Sequence, residues 1–155
     1  MDKHTGMTLI VKMITQVMIG FLLVFGAYIV LYGHITPGGG FPGGVMISLA
    51  YILLTLAYGR KVVESKISGV AASIVDDLGA LLFWLVGIIG LYIGGRYFYN
   101  FLGKGEPFNI FSAGTIIISN IGITLKVGMS LYAIFLALAI LQRVVTEEEP
   151  KEEGE

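Results

Sequence analysis

The chain has 155 residues, 55% of them hydrophobic and only 14% charged, with a formal net charge of −1. A soluble domain carries about a quarter charged residues, so this composition marks an integral membrane protein. Without cysteine there are no disulfides, thiolate metal sites or Cys-ligated clusters, the two histidines (His4 and His34) are too few and too far apart for a His-rich metal site, and no basic patch offers itself to nucleic acid.

The first apolar run predicts a membrane span from about 9 to 32, with Lys12 near its start and able to snorkel to the interface. It is longer than a signal-peptide core, and no A-x-A-like cleavage site follows, so it is read as retained. Gly33–Gly44 (GHITPGGGFPGG) reads as a Gly/Pro-rich linker without formal charge. A second span is predicted from about 42 to 59, with Pro42 in the first turn, where its missing N–H is no loss, and Gly59-Arg60-Lys61 closing it. Residues 62–75 read as a polar, weakly amphipathic connector.

A third span is predicted from about 76 to 95. It starts at Asp76-Asp77, where a helix N-terminus favours negative charge, and ends among Tyr92, Tyr97, Phe98 and Tyr99, an interfacial aromatic cluster. After a second loop at 103–111, the fourth span is predicted from about 114 to 142. The expected architecture is an all-α integral membrane domain of four transmembrane helices over 1–143, followed by an acidic disordered tail over 144–155. Four spans put both termini on one side. That side carries Lys3, Lys12, Arg60, Lys61, Lys66, Arg143 and Lys151, against Arg96 and Lys104 on the other, so the positive-inside rule predicts both termini in the cytoplasm of a multi-pass plasma-membrane protein.

Lys126 is the most informative single residue. It is the one formal charge in Thr115–Leu141, a stretch longer than the roughly 20 residues a bilayer crossing needs. A cation at such a position costs roughly 2.5–3.5 kcal/mol on insertion scales and needs a partner, a hydrated cavity or a route to the interface. Thr115, Ser119, Gly122, Lys126 and Ser130 share one helical face, with Asn120 on its flank. Asp76 and Asp77 read as lying near the membrane edge while Lys126 is near mid-depth, so its counter-charge is expected from another subunit. Whether the lysine serves an ion path or assembly alone stays open.

Gly38, Gly40 and Gly43 form a G-x-G-x-x-G, but a membrane helix precedes them and Arg60 stands where a dinucleotide site needs an acid. The segment is read either as a compact loop packed against a neighbouring subunit or as an exposed turn. His34 is either bonded to a loop carbonyl or a proton-handling group. Gly90 and Gly94 form a GxxxG that points to helix packing. No nucleotide-binding or nucleophilic-catalysis motif is present, so no enzyme activity and no cofactor are expected of the chain by itself.

Leu31–Gly44 (LYGHITPGGGFPGG) resembles the G-H-x-x-P-G-G-G-F-x-G-G signature of the MnhB/MrpB family, the B subunits of Mrp-type multisubunit cation/proton antiporters. Phe111–Gly128 (FSAGTIIISNIGITLKVG) resembles that family's last helix, and Asp77–Leu82 (DLGALL) the start of its third. The resemblance implies a four-helix accessory subunit that works only inside a larger membrane assembly, either an antiporter or a membrane-bound hydrogenase-like complex moving Na⁺ and H⁺. It maps the family's loop residues onto His34, Pro37, Gly38, Gly39, Gly40, Phe41, Gly43 and Gly44, and its intramembrane charge onto Lys126. The ion-path or interface candidates are thus Lys126, Asn120, Ser119 and His34. The rival is an assembly scaffold with no ionic role.

Overall fold

The structure is a computed structural model that describes residues 7–65, 68–103 and 105–148. Among these residues all regular structure is helical: α1 Leu9–Tyr32, α2 Gly40–Tyr58, α3 Arg60–Glu64, α4 Gly69–Gly94, a 3₁₀ turn Ile110–Ala113, and α5 Thr115–Glu148. Four of them, α1, α2, α4 and α5, are long and apolar enough to cross a membrane. The acidic tail beyond Glu148 lies outside the described residues, as do Lys3, Lys66, Lys104 and Lys151 of the charge tally.

The helix boundaries follow from local chemistry. Only 33–39 is loop in the Gly/Pro segment. The chain leaves α1 through a turn in which the Ile35 and Thr36 N–H groups donate to Tyr32 O, and α2 already begins at Gly40, two residues before the predicted start. The predicted connector 62–75 is largely helical. Arg60–Glu64 forms one short helix, tied by an exposed Arg60–Glu64 ion pair of 2.5 Å. Ser68 then caps α4, accepting a hydrogen bond from Ala71 N–H at 3.2 Å. Starting at Gly69 rather than Asp76, α4 carries Asp76 two turns inside the helix. It ends at Gly95, which takes the left-handed conformation (φ +67°) that glycine adopts without penalty. Helix α5 has 34 residues, about 50 Å at 1.5 Å per residue, and extends to Glu148, into the stretch predicted as tail.

Helix α5 is the centre of the packing. It lies between α2 and α4, while α1 packs on the far side of α2 and touches α5 only lightly; α4 has marginal contact at most with α1 and α2. The seams are made of small residues, as in membranes, where helices associate through close van der Waals contact. A Cβ on Gly40 would lie 2.5 Å from Asn120 O, and one on Gly44 3.0 Å from Thr124 O. Gly40 and Gly44 of the loop motif therefore seat α2 against this chain's own α5, Gly43 faces Val30 and Gly26 of α1, and Phe41 points outward, 62% exposed. Large apolar side chains such as Phe21, Val24 and Leu138 cover the outside, a surface suited to lipid or protein neighbours.

The α4 GxxxG does not meet another helix. After Gly95 the chain turns back along α4, placing Tyr97 against Gly87 and Tyr99 against Gly90 and Gly94. Phe98 packs at a tilt against Phe83, with ring centroids 4.8 Å apart. Tyr97, Phe98 and Tyr99 of the aromatic cluster predicted for the interface are folded onto the glycine face, while Tyr92 stays exposed; Phe98 is held at φ +60°, a left-handed geometry that costs roughly 1–2 kcal/mol for a residue with a Cβ.

Candidate functional site: an ion pair between two membrane helices

The Lys126 Nζ donates to Asp76 Oδ2 at 2.5 Å, and Ser130 Oγ donates to Asp76 Oδ1 at 2.6 Å. The counter-charge expected from another subunit is therefore supplied within the chain. The reason is the register of α4: Ser68 starts the helix early, so Asp76 is carried into the bilayer-spanning part, level with the middle of α5. Lys126 and Ser130 sit one helical turn apart on α5 and grip the two oxygens of one carboxylate. Asp77, the next residue, points away and is exposed.

Pairing removes the net charge from the apolar region, which is what makes either residue tolerable there. The pair is not sealed: the side chains of Asp76 and Lys126 are 22% and 44% exposed. A cavity of about 360 Å³ reaches Asp76 and Ser130 from the α3–α4 connection, where Glu64 forms part of its wall. Ser73 and Tyr132 also line it.

The remaining candidates fall at two other places. Asn120 is 9% exposed and lies on the α2-facing side of α5, with Gly39 and Gly40 against it. Beside it Thr124 Oγ1 donates toward both Gly40 O at 3.0 Å and Asn120 O at 2.7 Å. Further along that seam the Thr55 and Tyr132 hydroxyls bond each other at 3.0 Å in the interior. Ser119 is half-buried two turns from Lys126, about 10 Å along the helix.

His34 is at the opposite membrane face from the cavity mouth. Its Nε2 lies 3.2 Å from Asn109 O and 3.1 Å from Ser112 Oγ. A carbonyl only accepts, so Nε2 carries the proton and the ring ties the end of α1 to the turn before α5. Next to it Asn100 caps α5: its Oδ1 accepts from Thr115 N–H at 3.1 Å and its Nδ2 donates to Ala113 O at 3.2 Å. Pro37 and Gly38 are exposed, and Lys12 lies over the Tyr58 ring, 5.6 Å from its centroid. Among the described residues no cluster of His, Asp and Glu is built to hold a metal ion.

Sequence reasoning missed Asp76 as the partner of Lys126, and the cavity. The signal available for Asp76 was Ser68 followed by a helix-compatible apolar run, which moves the helix start seven residues earlier. The cavity had no sequence signal, because its lining comes from α3, α4 and α5 together.

Four apolar helices, packed through small residues around one intramembrane ion pair, define a multi-pass protein of the cell membrane. Residues 10–133 match the family described as a domain related to the MnhB subunit of Na⁺/H⁺ antiporter, and the chain belongs to that family. A Staphylococcus saprophyticus protein described as antiporter subunit mnhB2 is 30% identical over 132 residues, covering 79% of this chain and 92% of that protein. An uncharacterized Methanocaldococcus jannaschii protein is 35% identical over 163 residues, and the match spans 94% of this chain but 59% of that relative's length. Among solved structures, a chain of the membrane-bound sulfane sulfur reductase, an archaeal respiratory membrane complex, superposes with a TM-score of 0.70 at 31% identity, covering 87% of this chain and 59% of that one. The relatives that carry a functional description are named as an antiporter subunit and as part of a respiratory membrane complex, and the chain spans about three fifths of the length of the Methanocaldococcus jannaschii relative and of the solved chain.

Proposed function

We propose that this chain is an accessory subunit of an Mrp-type sodium/proton antiporter module, standing alone or built into a respiratory complex of the hydrogenase kind, and that its Asp76–Lys126–Ser130 cluster forms part of the module's ion path. The observation that carries the reading is a carboxylate and an ammonium held at 2.5 Å between two membrane helices, with the carboxylate of Asp76 lining a cavity. Intramembrane ionisable groups are expensive, and where they persist they mark ion pathways and relays. A fixed charge pair beside a hydrated opening sets the local field that a passing cation meets. The charge asymmetry of the loops supports a cytoplasmic orientation for both termini, and with them for the cavity mouth.

The test is Lys126→Met in the assembled complex, with subunit content and Na⁺/H⁺ exchange in vesicles measured together. Normal assembly with lost exchange supports the ion-path role; normal assembly with unchanged exchange rejects it. A scaffold role draws on one observation, the satisfaction of Lys126 within its own chain. It predicts lost assembly and no separate effect on exchange.

A further inference from the structure

The cavity between α4 and α5 has a polar inner end. Ser73, Asp76 and Ser130 line it inside, and Glu64, already engaged by Arg60, stands in its wall beside the α3–α4 connection. Cavities that stay dry are lined by apolar groups alone; this one, of about 360 Å³, is walled mainly by apolar residues such as Met129, Ala133, Ile134 and Leu136 but also carries a carboxylate and hydroxyls, and it has room for roughly ten waters at about 30 Å³ each. At its inner end a carboxylate already holds a cation, the primary ammonium of Lys126. That ammonium sits at the tip of a flexible four-carbon stem and is 44% exposed, so it can withdraw without moving the backbone. What remains is a set of oxygen donors (both Asp76 oxygens and the Ser130 hydroxyl, with Ser73 one turn away on the same wall), the ligand type hard cations take. A single carboxylate balances a single positive charge.

We infer that this cavity is a hydrated vestibule through which a small monovalent cation reaches Asp76 and competes with the Lys126 ammonium for its carboxylate. The inference rests on the reading of this pair as part of an ion path and names what occupies it. Lys126 is then a tethered stand-in: it keeps the carboxylate neutralised when the site is empty of free cation and yields when one arrives.

The native sequence has no cysteine, so single cysteines report without background from this subunit. Ser73→Cys and Ala133→Cys place a thiol on each wall of the cavity, and Val24→Cys, on the exposed apolar face of α1, is the control. In vesicles containing the assembled complex, the two cavity variants are treated with a cationic or an anionic methanethiosulfonate from each side, in sodium or in choline. The expected result is reaction from one side and faster than at the control. Sodium, and not choline, should slow the reaction severalfold, and Asp76→Asn should abolish that protection. Should Asp76→Asn fail to assemble, Lys126→Gln replaces it, with protection expected at lower sodium once the competitor is gone. Rates no faster than the control, or indifferent to sodium, or protection that survives Asp76→Asn, overturn the inference. Labelling is read without any ion flux, so this experiment can fail while the Lys126→Met exchange test succeeds, and the reverse.

Discussion

Gly79 on α4 and Gly122 on α5 meet backbone to backbone: a Cβ on Gly79 would lie 2.7 Å from Gly122 O and 2.6 Å from Lys126 N. This approach puts Asp76, one turn before Gly79, within bonding distance of Lys126, one turn after Gly122. Gly79→Val is expected to force the helices apart, break the ion pair and lower stability by about 1–3 kcal/mol, the usual cost of overpacking. Ala80→Val, on the exposed side of the same helix, is expected to be neutral. Thermal unfolding of both variants in lipid nanodiscs checks the difference.

The pair itself should show strong non-additivity. Lys126→Met leaves Asp76 without its cation, and Asp76→Asn leaves an unpaired ammonium, whereas the double variant leaves neither charge. The double variant is expected to be more stable than the sum of the single effects predicts, with a coupling of about 0.5–3 kcal/mol, toward the low end because both side chains are partly exposed. A coupling near zero in chemical unfolding of all four proteins would show that the two groups do not interact in the folded chain.

Asn100 performs a helix cap from outside the helix, bonding Thr115 N–H and Ala113 O. Asn100→Ala should cost about 0.5–2 kcal/mol, as for loss of an N-cap. Amide exchange should rise in the first turn of α5, at 115–118, and remain unchanged at 124–130.

Gly90 accommodates the Tyr99 backbone, with a would-be Cβ 2.6 Å from Tyr99 N. Gly90→Val is expected to expel 96–99 from the glycine face while leaving α4 helical. Trypsin should then cut after the exposed Arg96 several times faster than in the native chain, with helical circular dichroism unchanged. Equal cleavage rates would mean that the fold-back does not depend on that groove.

Much of the fold was legible. Four apolar runs of the right length gave four membrane helices, because in lipid the backbone has to satisfy its own hydrogen bonds and a helix is the local way to do so. Helix ends were read less well. Asp76-Asp77 fits a helix N-terminus by charge, yet Ser68 is the actual cap, and the error hid the partner of Lys126. Lys126 itself was found because a lone cation in an apolar run is conspicuous. Which of the polar residues on α5 face α2 and which face α4 depends on how three helices are arranged in space, so Asn120 was grouped with Lys126 although it lines the other seam. The GxxxG of α4 was read as a helix contact because small residues have that use most often. The turn at Gly95 that brings Tyr99 back onto it is a tertiary event with no periodic signature.

Helix α4 rests on α5 almost alone, and the carboxylate of Asp76 lies in that contact. Whatever loads this oxygen pair in place of the lysine also withdraws one of the ties holding α4 down. Occupancy and helix docking are then two readings of one equilibrium, and a neighbouring protein that clamps α4 from outside would tune how tightly the carboxylate keeps its charge partner.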